Sequence, residues 1–517
     1  MDVEKIQSSS RDEKISPPSP YSSGQAGHSP TETATTDDPT QQQYYRQFEE
    51  NGAEWRADFE KKLKRKVDLR LIPLLVIMYI NNFMDRSALG QARLGTLEED
   101  LGMDPNGTQF NTAISILFVG YILMQLPSNL LLSRLRPSIY LGGVMIIWGA
   151  VCTATAAVQN FAGLLVVRIF LGVTEAPFFP GAIFLMSSWY TRRELTKRIA
   201  WFYSGVAVAN GFSGLVSAGI LANMEGAAGI AGWRWVFIVN GAISMFFAVC
   251  CTLVLPDFPH TTKWLTPEQR AYAAWRLKMD AEEEDDRHAT GVLQGLVMAL
   301  KDWRLYVFML MLHANVLAGT FQYIFPSIVQ TLGFGRIETL LLTVPVWFLA
   351  WFVACAVTWN ADRTGDRAFH IIVASIVSGV GNVCVAASSN VGVRFLGMFL
   401  MPIGAVSAFP VMTAWIANSF IRPLVKRASA IAICNSFANA ASTYGTFMYP
   451  ASQGPQYLPG SAGNAVVCLA AALLALALRF IHKRENKKLE KMEAEGILDP
   501  AAGTSSDRRG LGFRYVY

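Results

Sequence analysis

Twelve blocks of apolar residues constrain this chain more than any other feature. Each is close to the ~20 residues a helix needs to cross a bilayer. They fall at about 71–92, 111–132, 138–158, 162–188, 199–222, 233–255, 303–328, 337–359, 369–388, 394–417, 428–450 and 463–482. Of the 517 residues, 52% are hydrophobic and only 16% are charged, against about 25% charged in an ordinary soluble domain. In lipid, every backbone N–H and C=O must be satisfied inside the chain, so blocks of this length are predicted to be helices. The expected fold is an all-α integral membrane protein with twelve transmembrane helices in two six-helix bundles.

The loops test the count independently. Lys and Arg beside membrane helices mark the cytoplasmic side. "KKLKRKVDLR" precedes the first block, and alternate loops then carry Arg134 and Arg136, "TRRELTKR", "ADRTGDR", Arg422 with "VKR", and "RFIHKRENKK". The intervening loops are poor in Lys and Arg: "TLEEDLGMDPNGT" is acidic and 451–464 is uncharged. Both termini are therefore expected in the cytoplasm. The formal charge of +5 follows from orientation and does not call for nucleic acid as a partner.

Five regions follow. Residues 1–66 read as a disordered cytoplasmic tail, rich over most of their length in Ser, Pro, Gln and Thr. Residues 67–255 hold the first six spans, 256–302 a cytoplasmic linker, 303–482 the second six spans, and 483–517 a second cytoplasmic tail. Within the linker, Thr266 before Pro267 is predicted to cap a helix. Two six-helix halves joined by one long loop are the layout of a rocking transporter with its site between the halves. The seven cysteines all fall inside spans and form no CxxC, so neither a disulfide nor a metal framework is expected. "NGT" makes Asn106 the candidate glycosylation site, in an outside loop.

The chemistry is concentrated in a few polar residues at bilayer depth. "LIPLLVIMYINNFMDRSALG" places Asn81, Asn82, Asp85 and Arg86 in the first span. A charge at the centre of a membrane helix costs roughly 2.5–3.5 kcal/mol, and such residues are functional candidates by default. Asn81 and Asp85, like Asn82 and Arg86, are four apart and share a helix face. The fourth span, "RIFLGVTEAPFFPGAIF", holds Arg168 and Glu175 two turns apart, with Pro177, Pro180 and Gly181 loosening the helix. A carboxylate that balances scarce water against a nearby guanidinium can gain and lose a proton, as proton coupling requires. Asp85 and Glu175 are thus the candidate proton carriers, and Arg86 a planar fork for a substrate carboxylate. Structural salt bridges, Asp85–Arg86 or Arg168–Glu175, are the competing readings. In the second half, His313 and Tyr323 on the seventh span and Asn435 and Asn439 on the eleventh complete a candidate binding set with Asn82 and Arg168.

"ADRTGDRAFH", with Asp362, Arg363 and Arg367, resembles the cytoplasmic loop motif of the major facilitator superfamily; the loop with Arg134 is a degenerate copy lacking the motif's Asp. "DRSALGQARL", "GVTEAPFFPG" and "LPDFPHTTKWLTPEQR" together resemble the anion:cation symporter family, and within it the fungal allantoate permease group. The resemblance covers about residues 67–482 and implies the major facilitator fold, a plasma-membrane location and a gating role for Arg134, Asp362, Arg363 and Arg367. It also implies Asp85 and Glu175 as proton carriers, Arg86 as the carboxylate clamp, and Asn435 or Asn439 as a substrate contact.

The expected activity is proton-coupled uptake of a small organic anion, such as a carboxylate vitamin or nitrogenous acid, by alternating access. The alternative is proton-driven efflux of a drug or secondary metabolite; antiporters of the superfamily it resembles usually carry a Gly-Pro element in the fifth helix, and the fifth span here has glycines but no proline, so the resemblance implies import. The expected partners are the anion, protons and the lipid bilayer, with the chain acting as a monomer. No HExxH, G-x-S-x-G or P-loop occurs, so neither an enzyme, a cofactor, a metal nor a nucleotide is expected.

Overall fold

The computed structural model describes residues 39–132, 135–259, 261–282, 292–420, 424–495, 514, 515 and 517. Through the first half the chain forms α1 (Pro39–Glu50), α2 (Ala53–Ala92), α3 (Leu97–Asp100), α4 (Thr108–Leu132) and α5 (Pro137–Ala154). It continues as α6 (Phe161–Glu175), α7 (Phe178–Ser187), α8 (Arg192–Asn223) and α9 (Gly232–Val254). The linker holds α10 (Pro267–Glu282) and α11 (Val292–Leu300). The second half comprises α12 (Trp303–Ala318), α13 (Phe325–Gln330), α14 (Arg336–Thr364), α15 (Arg367–Ala387), α16 (Val391–Ser419), α17 (Leu424–Ala440) and α18 (Leu458–Ala494).

Among the described residues, ten helical stretches are long and apolar enough to cross a membrane. α4 and α17 lie where the sequence predicts the second and eleventh spans. Large apolar side chains point outward along these helices, among them Leu123, Phe246, Leu253, Phe352 and Val466, each more than 60% exposed. A soluble protein rarely leaves so much apolar surface in water; a bilayer covers it.

Local chemistry sets the helix ends. Asn160, Asp302 and Asp366 each accept a backbone N–H at a helix start. Thr266 Oγ1 accepts from Gln269 N at 3.2 Å, as the sequence predicts for the linker helix. Gly365, at φ +69°, ends α14 in the left-handed region that favours glycine. Three predicted spans are broken. The fourth divides at Pro177 into α6 and α7. The seventh leaves α-geometry at Gly319 for a tight turn over Gly319–Tyr323 before α13. The eleventh, expected to be helical to 450, stops at Ala440 and continues as short turns over Ala441–Thr443 and Gly445–Met448. The last two breaks meet: a Cβ on Gly445 would lie 2.6 Å from the Thr320 side chain.

The N-terminal tail departs from expectation. Residues 39–66 were expected to be disordered but are helical, in α1 and the first turns of α2. The cause is a partner distant in sequence. Phe48, Trp55 and Phe59 pack on Tyr272 of α10, with ring centroids 5.1, 6.3 and 4.9 Å away, and Trp275 closes the cluster. Arg276 of α10 then reaches Glu60 (3.4 Å) and Glu194 (3.3 Å). Lys64 also pairs with Glu194, at 3.1 Å. Burial works against the ionised Glu194, but Arg276 and Lys64 hold its carboxyl below the usual range.

In the first half α5 packs on α9, α4 on α6, and α2 on both α8 and α9. In the second half α15 packs on α16 and α18, and α12 on α17 and α18. The halves meet along α8 with α14, α4 with α17 and the turns after it, and α2 with the turn at 319–323. These seams frame the site.

Candidate functional site

A cavity of about 100 Å³ lies between the halves. α2 contributes Asn82 and Arg86, α4 contributes Tyr121, the turn after α12 contributes Tyr323, and α17 contributes Asn435 and Asn439. Tyr203, Trp347 and Phe409 add aromatic walls. The composition is that of an apolar, aromatic pocket with a few convergent polar groups.

Among the described residues that line it, Arg86 is the one cation. Its Nε donates to Glu175 Oε2 at 2.5 Å, and both side chains are at least nine-tenths buried. The guanidinium lies over the Tyr121 ring, 4.7 Å from its centroid, with Phe83 and Phe118 at 5.4 and 5.9 Å. Aromatic faces stabilise a cation where water cannot. Glu175 is the last residue of α6, immediately before the break at Pro177. Its Oε1 is buried without a hydrogen-bond partner. A buried carboxylate oxygen left without a donor is costly.

The structure replaces both salt bridges that the sequence left open. Asp85 does not pair with Arg86. Successive helical residues point about 100° apart, so Arg86 faces the cavity while Asp85 turns into the first-half bundle. There its carboxylate accepts from Ser244 Oγ (2.6 Å), Trp148 Nε1 (3.1 Å) and Cys152 Sγ (3.4 Å). Arg168 does not pair with Glu175 either. Seven residues along a helix is ~10 Å of rise, and Arg168 Nε instead donates to Ala113 O at 3.3 Å on α4.

Of the candidate binding residues, Asn82, Arg86, Tyr323, Asn435 and Asn439 line the cavity. Arg168 and His313 do not. His313 sits on another flank of α12, with Nδ1 2.9 Å from Phe437 O and Nε2 2.5 Å from Tyr444 Oη. Arg134 lies outside the described residues. In the other loop motif, Arg367 lies 3.6 Å from Asp362, and Arg363 stacks over Trp359 at 5.5 Å. With its amide oxygen turned toward Arg367, Asn418 accepts from both Nη atoms at 2.7 and 2.8 Å. Asn106 is exposed, and its backbone oxygen accepts from Ala451 N at 3.2 Å.

Sequence reasoning did not single out Tyr121 or the donors around Asp85. Tyr121 had a signal, as a polar tip in the apolar run "AISILFVGYILMQLP". Ser244, Trp148 and Cys152 had none, because their convergence on Asp85 depends on how α5 and α9 pack against α2.

The two ends of the cavity are closed differently. Toward Asn106 the halves touch closely: Ser115 and Thr446 hydroxyls are 3.0 Å apart, and a Cβ on Gly90 would collide with the Tyr323 carbonyl oxygen. At the opposite end the rings of Tyr203 and Phe409 stack across the halves at 4.1 Å, and Trp351 Nε1 donates to Ser204 Oγ at 3.4 Å.

Residues 75–446 match the Major Facilitator Superfamily. The chain is 33% identical to the MFS-type transporter cnsO of Penicillium expansum, over 83% of this chain and 84% of that one. It is 32% identical to the major facilitator-type transporter hxnP of Emericella nidulans (84% and 88% covered) and 31% identical to a putative tartrate transporter of Agrobacterium vitis (76% and 85%). In fold it is similar to the proton:xylose symporter XylE, with a TM-score of 0.63 at 14% identity, over 81% of this chain and 96% of that one. A bacterial homologue of the lysosomal transporter Spinster, inward-facing, aligns with a TM-score of 0.59 at 14% identity (78% and 95%). The chain is an integral membrane transporter, not an enzyme, and it belongs to the major facilitator superfamily.

Proposed function

We propose that the protein imports a small organic anion together with a proton, by alternating access. One observation carries the reading: Arg86, the one cation among the described lining residues, is held by a carboxylate, Glu175, whose second oxygen has no partner among the described residues. A proton arriving on Glu175 weakens its hold on Arg86. The guanidinium then donates to the incoming substrate carboxylate, which takes the place Glu175 gives up. Charge in the site is balanced when both proton and anion are aboard, and the halves rock about it. Release of the proton to the cytoplasm restores the Arg86–Glu175 pair and expels the anion.

Asp85 serves as a second proton-carrying group, one helix face away and out of reach of the substrate. Asn82 and Tyr323, with Asn435 or Asn439 from the other half, hydrogen-bond the polar end of the anion. The relative described as a putative tartrate transporter supports an organic acid as the substrate class. Membership of the anion:cation symporter family and its allantoate permease group is part of the same proposal. So are twelve spans with both termini cytoplasmic, the division at 67–255 and 303–482, and gating by Arg134, Asp362, Arg363 and Arg367. A monomer in the plasma membrane, with Asn106 as the candidate glycosylation site, completes it.

Uptake of labelled carboxylates into proteoliposomes tests the reading. Accumulation is expected only with an inward proton gradient. Loss of a hydrophobic cation driven by protons, without uptake of any anion, would replace import by efflux.

A further inference from the structure

Arg514, Tyr515 and Tyr517 are docked against the second half. Tyr515 N donates to Asn486 Oδ1 at 2.8 Å and Asn486 Nδ2 donates back to Tyr515 O at 2.9 Å. The Tyr515 ring stacks on His482 of α18, with centroids 4.8 Å apart and planes within 20°. The Arg304 guanidinium of α12 also lies 4.9 Å from the centre of the same ring. Tyr515 is 4% exposed. On either flank, Arg514 pairs with Glu493 (2.6 Å) and lies 3.6 Å from Glu490, and Lys483 stands 5.2 Å over the Tyr517 ring. The Tyr517 backbone oxygen accepts from Arg367 N at 2.7 Å, where α15 begins and its first N–H groups have no partner within the helix.

The receiving surface is built for this load. Asn486 is 7% exposed, and its amide is satisfied at both ends by one residue's backbone, a pairing that reads a peptide without regard to its side chain. Selectivity comes from two groups of contacts: His482 and Arg304 against the aromatic ring, and an acidic pair, Glu490 and Glu493, for a basic neighbour. His482 itself is fixed, because it is fully buried edge-on to Trp415 of α16 at 5.7 Å. Each of these contacts is individually modest, and tethering supplies a high effective concentration.

We propose that the surface formed by the ends of α12, α15 and α18 is a peptide-binding site for a basic–aromatic Arg-Tyr-x-Tyr segment, with Arg514, Tyr515 and Tyr517 as its resident ligand residues. Every contact named comes from the second half, so the docked segment rides with that half. Through Arg367 it fastens the start of α15, next to the Asp362–Arg367 loop. Its influence on transport rests on the gating role proposed for that loop; binding itself does not.

The test uses the chain lacking residues 506–517, reconstituted in lipid nanodiscs, and a labelled peptide of sequence RRGLGFRYVY. Saturable binding is expected, weakened at least tenfold by Tyr515→Ala in the peptide or Asn486→Asp in the protein. Absence of saturable binding to the folded, shortened chain, or equal binding of the Tyr515→Ala peptide, would overturn the site. Should the shortened chain fail to reconstitute, trypsin cleavage at Arg508 and Arg509 of the intact chain decides. Tyr515→Ala is expected to speed that cleavage several-fold; an unchanged rate would likewise overturn the proposal.

Discussion

Arg86 and Glu175 are 89 positions apart in sequence and 2.5 Å apart in the structure, and their pairing closes the cavity's cation onto the end of α6. Breaking a buried pair by removing one partner costs ~3–5 kcal/mol, because the other charge is left behind. Arg86→Ala is therefore expected to abolish anion uptake and lower the melting temperature. Arg86→Met combined with Glu175→Gln should recover most of the stability and none of the uptake. Thermal unfolding in detergent alongside proteoliposome uptake separates the two effects. Wild-type uptake by Arg86→Ala would remove the clamp.

Glu175→Gln keeps the shape of the side chain and removes its charge. Net accumulation should fall to the background level, with counterflow exchange of the anion retained within about tenfold and no longer dependent on pH. The check is counterflow measured across pH 5 to 8 for both proteins. A pH dependence identical to wild type would take Glu175 out of the coupling.

Gly90 lets the Tyr323 carbonyl lie directly against α2. A branched side chain there cannot be accommodated without parting the halves at the Asn106 end. Gly90→Val is expected to reduce transport at least tenfold and to hold the protein open on that side. Labelling of a cysteine placed at Ser115, inside the same seam, should accelerate in the Gly90→Val background. Slow labelling with normal transport would contradict the seal.

The clasp between α1, α2, α10 and the start of α8 depends on charge. Arg276 and Lys64 hold the Glu194 carboxyl below its ordinary value of 4.5. A carboxylate depressed on folding contributes stability that is complete above its unfolded value and is lost as pH falls through the folded one. The N-terminal helices should thus resist proteolysis at neutral pH and become labile below about pH 4. Glu194→Gln should be labile already at pH 7, with little further change on acidification.

Much of this fold is legible locally. Length and hydropathy mark the spans, and Pro177 marks the division of the fourth, because these signals need no tertiary partner. The polar residues of α2 are equally plain, but whether Asp85 pairs with Arg86 stays open until Ser244, Trp148 and Cys152 are placed around Asp85. What the sequence hides is pairing at a distance. Phe48 and Trp55 look like stray aromatics in a polar tail until Tyr272 and Trp275 are placed against them. Arg168 looks like the partner of Glu175 until Arg86 arrives from another helix. His313 reads as a site residue by composition alone, yet its flank of α12 meets Phe437 and Tyr444 outside the cavity lining.

The most direct measurement is uptake of a panel of labelled small carboxylates into proteoliposomes, with and without an inward proton gradient, alongside Arg86→Ala. Gradient-dependent accumulation of at least one carboxylate, absent in the variant, is the expected result. Equal accumulation with and without the gradient, or uptake that survives loss of Arg86, would contradict the account.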